Sequence, residues 1–204
     1  MDQTAKKALE FLRGVKSLAI ATVNDSQPAV RIADVMLAEE DGLYFITARG
    51  KPYYRQLKEN QKMAVCGMDQ NRVTARIVGD VRFCADRSVL DKIFEHNPML
   101  ARLYPGEKRS ILEAFHLYRG KGEFFDLTVR PPKRERFAFG GETVNPPGYW
   151  ITEKCNACGA CLEICPVNVI TKGEVYKIDR SHCLECGACL EVCPEEAVEP
   201  TPGM

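Results

Sequence analysis

Eight of the chain's ten cysteines fall between Cys155 and Cys193. They form two runs, CNACGACLEICP at 155–166 and CLECGACLEVCP at 183–194. Each reads C-x2-C-x2-C-x3-C-P, and the second repeats the first 28 residues on, Cys183 after Cys155. Thiolates at this spacing take a soft metal, either zinc or the iron of an iron–sulfur cube. Zinc is complete with four ligands, which leaves the third C-x2 step and both Cys-Pro pairs without a reason. Two [4Fe–4S] cubes use all eight thiolates. Gly159 and Gly187 let the backbone wrap each cube, and Pro166 and Pro194 turn the chain after the last cysteine. A disulfide framework needs an oxidising compartment, and no export signal is legible.

From about Ile151 to Val198 the segment resembles the two-cluster bacterial ferredoxins. In that pattern the fourth cysteine of each run crosses to the other cluster. The resemblance therefore implies that Cys155, Cys158, Cys161 and Cys193 hold one cluster. Cys183, Cys186, Cys189 and Cys165 would hold the other. VNVITKGEVYKID, 167–179, fits the small β-hairpin of such a fold. His182 either tunes the adjacent cluster or is an exposed ring. Cys66 and Cys84 lie in apolar strand-like runs and are expected to be inert core residues.

The elements ahead of the cysteines are mostly strands. Ala5, Ala8, Leu9 and Leu12 recur at helical spacing, which predicts a short amphipathic helix over 3–13. Strands are predicted at 17–23, 29–37, 42–48 and 62–68, with a helix opened by Pro52 and running to about Glu59. Residues 73–83 alternate: Val73, Ala75, Ile77, Val81 and Phe83 share one face, and Thr74, Arg76, Asp80 and Arg82 the other. Asp86 is expected to cap a helix carrying Val89, Leu90, Ile93 and Phe94. A further helix is expected over 109–118 with Ile111, Leu112 and Phe115 inward, then a strand over 122–129. Six strands with few helices predict a mainly β, antiparallel barrel with flanking helices on its outside, followed by the small α+β two-cluster ferredoxin-like domain that the ferredoxin resemblance implies. The expected division is a barrel over 1–130, a Pro-rich linker over 131–149 and the cysteine domain over 150–204. FAF within the linker can add an edge strand, and its arginines can meet the acidic tail or a nucleotide phosphate.

The first 130 residues carry no Rossmann glycine fingerprint, P-loop or nucleophile elbow. Their order is more informative. FLRGVKSLAIATVNDSQPAVRIADVMLAEEDGLYFITARGKPYYRQLKEN leads to VTARIVGDVRF and then NPML. Over roughly 5–130 this resembles the pyridoxamine 5′-phosphate oxidase-like family of FMN-binding split barrels. The resemblance implies FMN as cofactor. It implies that Arg31, Ile32, Ala33 and Asp34 run along the flavin, that Ile46 and Thr47 line it, and that Thr74 and Arg76 approach it. Arg31 offers a planar fork to phosphate, and Lys51 stands at a helix start, where an anion is favoured. The family builds its site between two subunits, so a homodimer is implied. A pyridoxamine phosphate oxidase also needs a C-terminal segment that holds substrate. Here the chain enters the Pro-rich stretch and the cysteine runs instead, which argues against pyridoxal phosphate synthesis.

Lys and Arg balance Asp and Glu at 28 each, but unevenly. Residues 150–204 carry nine acids and four bases, so the tail is acidic and the remainder basic. Complementary domains or an anionic cofactor on the basic part account for this. No run approaches the roughly 20 apolar residues of a membrane span. MDQTAKKALEFLRG lacks the apolar core of a secretion signal. A cytoplasmic protein with neither a nucleic-acid nor a membrane partner is expected. The function expected is a flavin–iron–sulfur oxidoreductase serving a small acceptor. The alternatives are an electron carrier between partner proteins and a redox sensor.

Overall fold

The computed structural model describes residues 2–202. Asp2 accepts the Thr4 N–H and caps α1 (Gln3–Val15), whose Ala5, Ala8, Leu9 and Leu12 form a buried stripe. β1 (Ser17–Asn24) and β2 (Gln27–Asp34) form a hairpin whose two turn residues, Asp25 and Ser26, both have positive φ. That turn matches the natural strand twist. Val35 and Met36 then carry the chain from one partner strand to another. The Val35 N–H donates to the Lys16 carbonyl at 2.9 Å and the Met36 N–H to that of Tyr44 at 2.8 Å. β3 (Leu37–Glu39) therefore pairs with β4 (Gly42–Ala48), while β2 stays on β1, and this bend closes the barrel.

α2 (Pro52–Glu59) starts on its proline, as expected, and leads into β5 (Lys62–Met68) and β6 (Thr74–Phe83). α3 (Ser88–His96) and the short α4 (Met99–Leu103) follow, with the Asp86 carboxylate accepting the Ser88 N–H. β7 (Leu112–Asp126) and β8 (Lys133–Phe139) complete an antiparallel sheet of order β2-β1-β5-β6-β7-β4-β3, with β8 also on β7. β7 has β6 along one edge. On its other edge lie β4, over Leu112–Leu117, and then β8, over Gly120–Asp126. The main core fills the barrel with Leu18, Ile20, Phe45, Val65, Ile77, Phe115 and Phe137. A second cluster, with Met36, Leu37, Ile93, Leu100 and Ala114, lies under α3 and α4.

Of the helix expected over 109–118, only 109–111 is helical, as the end of a 3-10 turn over Gly106–Ile111, and the rest is the first half of β7. Phe115 and Leu117 face the main core and Ala114 the second cluster, so both faces are buried. A strand buried on both sides loses its alternation and imitates helical spacing. The strand expected at 122–129 is the far end of the same element. The barrel sheet has eight strands rather than six, because the run expected at 29–37 divides at Val35 and β8 is added. β8 occupies most of the first half of the expected linker and pairs with β7 throughout. Cys66 is not a core residue: β5 turns Met63, Val65 and Gly67 inward and leaves Cys66 exposed on the outer face.

The cysteine-bearing unit pairs β9 (Tyr149–Ile151) with β12 (Val198–Pro200) and β10 (Ile170–Thr171) with β11 (Lys177–Ile178). Short helices α5 (Ala160–Ile164) and α6 (Ala188–Glu191) follow the two cysteine loops. No helix among the described residues is long and apolar enough to cross a membrane.

Candidate redox sites

The two cysteine loops are built alike. Gly159 and Gly187 have φ of +90° and +81° and start α5 and α6, so each loop turns sharply before its third cysteine. Ala157 and Glu185, at equivalent places, share the left-handed conformation at +58° and +56°. The Cys161 thiol has those of Cys155, Cys158 and Cys193 as neighbours. Cys165 joins Cys183, Cys186 and Cys189 around one cavity, with Tyr149, Val169 and Ile170 in its wall. These neighbourhoods are the ones that the crossed groups of four implied by the ferredoxin pattern would draw on, while among the described residues no three ligating side chains are drawn together as a closed metal site. Burial, then the neighbouring thiols, push Cys189 up to about 11. Iron that binds there must displace protons. Backbone N–H groups of Glu185 and Ala197 donate to the Cys183 and Cys193 sulfurs at 3.4 and 3.3 Å. Such donors stabilise a sulfur that carries negative charge. His182 Nδ1 donates to the Asp179 carboxylate at 2.8 Å, which anchors the ring beside Cys183.

The cysteine unit is held to the barrel by charge. The Glu185 carboxylate accepts from Arg136 at 2.6 Å, from Arg134, and from the Gly148 N–H at 2.8 Å. Both arginines stand on β8. Behind them, Glu123 on β7 lies within 3.8 Å of both and accepts from Arg76 on β6 at 3.2 Å. The Arg136 and Glu123 side chains are 6% and 4% exposed. At Gly148 a β-carbon would stand 2.9 Å from that of Cys183, so the backbone passes hard against the second loop.

In the barrel, Arg31 points inward from β2. It donates to Thr22 Oγ1 at 2.6 Å and to Gln56 Oε1 at 2.7 Å, and lies over the Tyr53 ring at 4.5 Å. Burial lowers its pKa, and the same burial raises that of Tyr53. These contacts bring Arg31 to the first turn of α2, where Lys51 is the exposed N-cap. Thr47 is buried, and its hydroxyl has no partner among the described residues. A cationic fork, a helix start and an unsatisfied buried hydroxyl are a donor set that fits an anionic, hydrogen-bonding cofactor.

The other expected flavin residues divide. Ala33 packs toward the main core, and Asp34 accepts the Ser17 hydroxyl at 2.6 Å. The Ile46 side chain points away from Thr47 into the second cluster. Ile32 and Thr74 stand on the sheet's outer face. There the pairing register aligns Ile32–Ala19–Cys66–Arg76 as one row and Val30–Ala21–Ala64–Val78 as the next. Val30 and Ile32 are 73% and 68% exposed.

Sequence reasoning missed Gln56, Glu123 and Glu185. The signal for Glu185 lies in the difference between the runs, where CLEC replaces CNAC. His116, also unassigned, is buried on β7, stacked 4.1 Å from Tyr44, with Nε2 donating to the Asp41 carbonyl at 3.0 Å.

An antiparallel split barrel joined to an eight-cysteine unit defines a redox protein of flavin-binding fold. Comparison with known proteins agrees. The family model for pyridoxamine 5′-phosphate oxidase matches residues 4–121, more than half of the chain, and the chain belongs to that family. The model for a 4Fe-4S dicluster domain matches residues 154–197, so the tail is an iron–sulfur unit of ferredoxin type. A ferredoxin of Butyribacterium methylotrophicum is 50% identical over 35 residues, 17% of this chain and 64% of that one. The chain thus spans somewhat less than two thirds of that relative's length. Among solved structures, a NimC/NimA family protein from Clostridium acetobutylicum superposes with a TM-score of 0.60 at 26% identity, covering 67% of this chain and 93% of that one. A general stress protein 26-related protein of the same organism, of the pyridoxinephosphate oxidase family, gives 0.52 at 16%, covering 67% and 96%.

Proposed function

We propose that the protein is a flavin- and iron–sulfur-dependent oxidoreductase, in which two [4Fe–4S] clusters exchange electrons with an FMN that serves a small acceptor. Such cofactors supply one-electron storage in the clusters and conversion between one- and two-electron chemistry at the flavin. The observation that carries the reading is the part-buried ionic contact between Arg134 and Arg136 of β8 and Glu185 of the second cysteine loop. It holds the iron–sulfur unit against the flavin-type barrel as a fixed neighbour.

The chain's own residues divide the work. Arg31 and Lys51 bind the FMN phosphate, and Thr47 meets the cofactor with its free hydroxyl. Gln56 and Thr22 keep the Arg31 fork in place. Ile32, Ala33, Asp34, Ile46 and Thr74 supply the strands along which the ring lies, Ile46 through its backbone. The cysteines bind in the crossed groups of four. A second copy of the chain covers the outer rows, where Val30, Ile32 and Val78 are exposed on one face. The site then lies at a homodimer interface in the cytoplasm.

The test is anaerobic purification, with iron and acid-released flavin measured per chain. The reduced protein is then offered quinones, nitro-compounds, enones and free flavins. Saturable turnover supports the enzyme. A second reading, an electron carrier without its own substrate, is favoured by the exposure of Cys158 in the first loop. Fast exchange with redox proteins and no turnover with any small acceptor would select it.

A further inference from the structure

The two cysteine runs are close copies in sequence and backbone, yet the barrel treats them differently. Glu185, in the second loop, is locked to β8. Its counterpart in the first loop is Ala157, which is exposed, as are Asn156 and Cys158 beside it. Cys183 is buried where Cys155 is half-buried, while Cys161 and Cys189 are both buried and Cys158 and Cys186 both exposed; Gly148 and Tyr149 close over the second loop. The side-chain hydrogen bond out of the first loop goes to Glu195, within the cysteine unit itself.

The sheet register extends this asymmetry. Arg136 is paired with Glu123, and Glu123 with Arg76, so the three side chains stand on one face of neighbouring strands. Strands lie about 4.8 Å apart, so β8 to β6 is about 10 Å across the face. Thr74 lies two residues along β6 on that same face.

We propose that the seat made by Cys165, Cys183, Cys186 and Cys189 is the barrel-side relay, and that the seat made by Cys155, Cys158, Cys161 and Cys193 is the outward terminal facing external redox partners. The lock of Arg134, Arg136, Glu123 and Glu185 is the positioning device that makes the two seats unequal. This rests on the flavin–iron–sulfur reading above. The lock holds two positive and two negative charges, with Arg76 beyond Glu123 as a third, more exposed cation. Removing one arginine adds net negative charge there, which disfavours an added electron. Removing the Glu185 charge does the reverse.

The experiment is a redox titration of the anaerobic holoprotein, with the cluster signals followed by electron paramagnetic resonance. Iron and flavin are counted first. Absence of either sinks the underlying reading, and the titration of a fully loaded protein judges the present inference alone. Arg136→Met is expected to move one cluster to lower potential and Glu185→Gln to move that same cluster higher. Ala157→Glu, which gives the first loop the acid of the second, is expected to lower the other cluster. If Arg136→Met does not fold, the Glu185→Gln and Ala157→Glu pair carries the test. Glu185→Lys is expected to speed amide hydrogen exchange across Lys133–Phe139. Shifts of one and the same cluster by Ala157→Glu and Glu185→Gln would overturn the proposal, as would unchanged exchange in Glu185→Lys.

Discussion

Arg31→Ala tests the placement of the cofactor phosphate. The guanidinium has five N–H donors. Two are engaged by Thr22 and Gln56, which leaves three for an anion. A hydrogen bond to a charged group contributes about 1.5–3 kcal/mol. Loss of one such bond weakens FMN about 10- to 150-fold, and loss of a two-bond fork weakens it further. Folding suffers less, because Thr22 still donates to Gln56 Oε1 at 2.7 Å when the arginine is gone. Arg31→Lys keeps the charge and loses the fork, so its affinity falls between the two. Arg87→Ala is the control, since Arg87 donates to the Leu112 carbonyl at 3.2 Å, at the start of β7. The assay is fluorescence titration of deflavinated protein with FMN, beside thermal melting of the same samples. Equal FMN affinity in the Arg31 and Arg87 variants would refute the placement. So would a loss of affinity that only tracks a fall in melting temperature.

Cys165→Ser is expected to leave about four of eight irons per chain and to remove the cluster of the second run, although Cys165 belongs to the first; iron analysis with electron paramagnetic resonance reads this. Ile32→Asp puts a carboxylate at the β2 end of the outer rows, beside Val30, where burial against a second copy without a partner is strongly unfavourable. Light scattering is expected to show a dimer for the native chain and a monomer for the variant. His116 has its pKa lowered, first by burial and against the pull of Asp41. The folded state therefore binds fewer protons than the unfolded one, and stability falls as pH drops through about 6.5 toward the lower folded value. Melting at pH 5 and pH 7.5 is expected to show a larger acid loss in the native chain than in His116→Gln.

The sequence was most legible where spacing is dictated by covalent or periodic geometry. Eight cysteines at fixed intervals identify the iron–sulfur unit, and the alternation in β6 gives its faces correctly. It was least legible where a residue faces protein on a side that usually meets water. The sequence offers the linker arginines either the acidic tail or a phosphate; Arg134 and Arg136 take the tail through Glu185, and because their side of the strand meets protein rather than water, β8 reads as a linker. The first half of β7 has apolar neighbours on both faces and so lacks the period of a strand. Cys66 sits in KMAVCGM, where both faces are apolar, and nothing in that run tells inside from outside. For the flavin residues, the order of strands points to Arg31 and Lys51. The inward turn of Thr47 against the opposite turn of Ile46 needs the folded sheet.

Because the tail is seated by side chains on β8, the stretch from Gly140 to Pro147 need not act as a measuring rod. A few residues inserted there would bulge into solvent and leave the metal-bearing tail anchored where it was. Natural or engineered changes in that stretch would then alter how easily the tail is attached during folding, while its place against the barrel stays a property of the sheet.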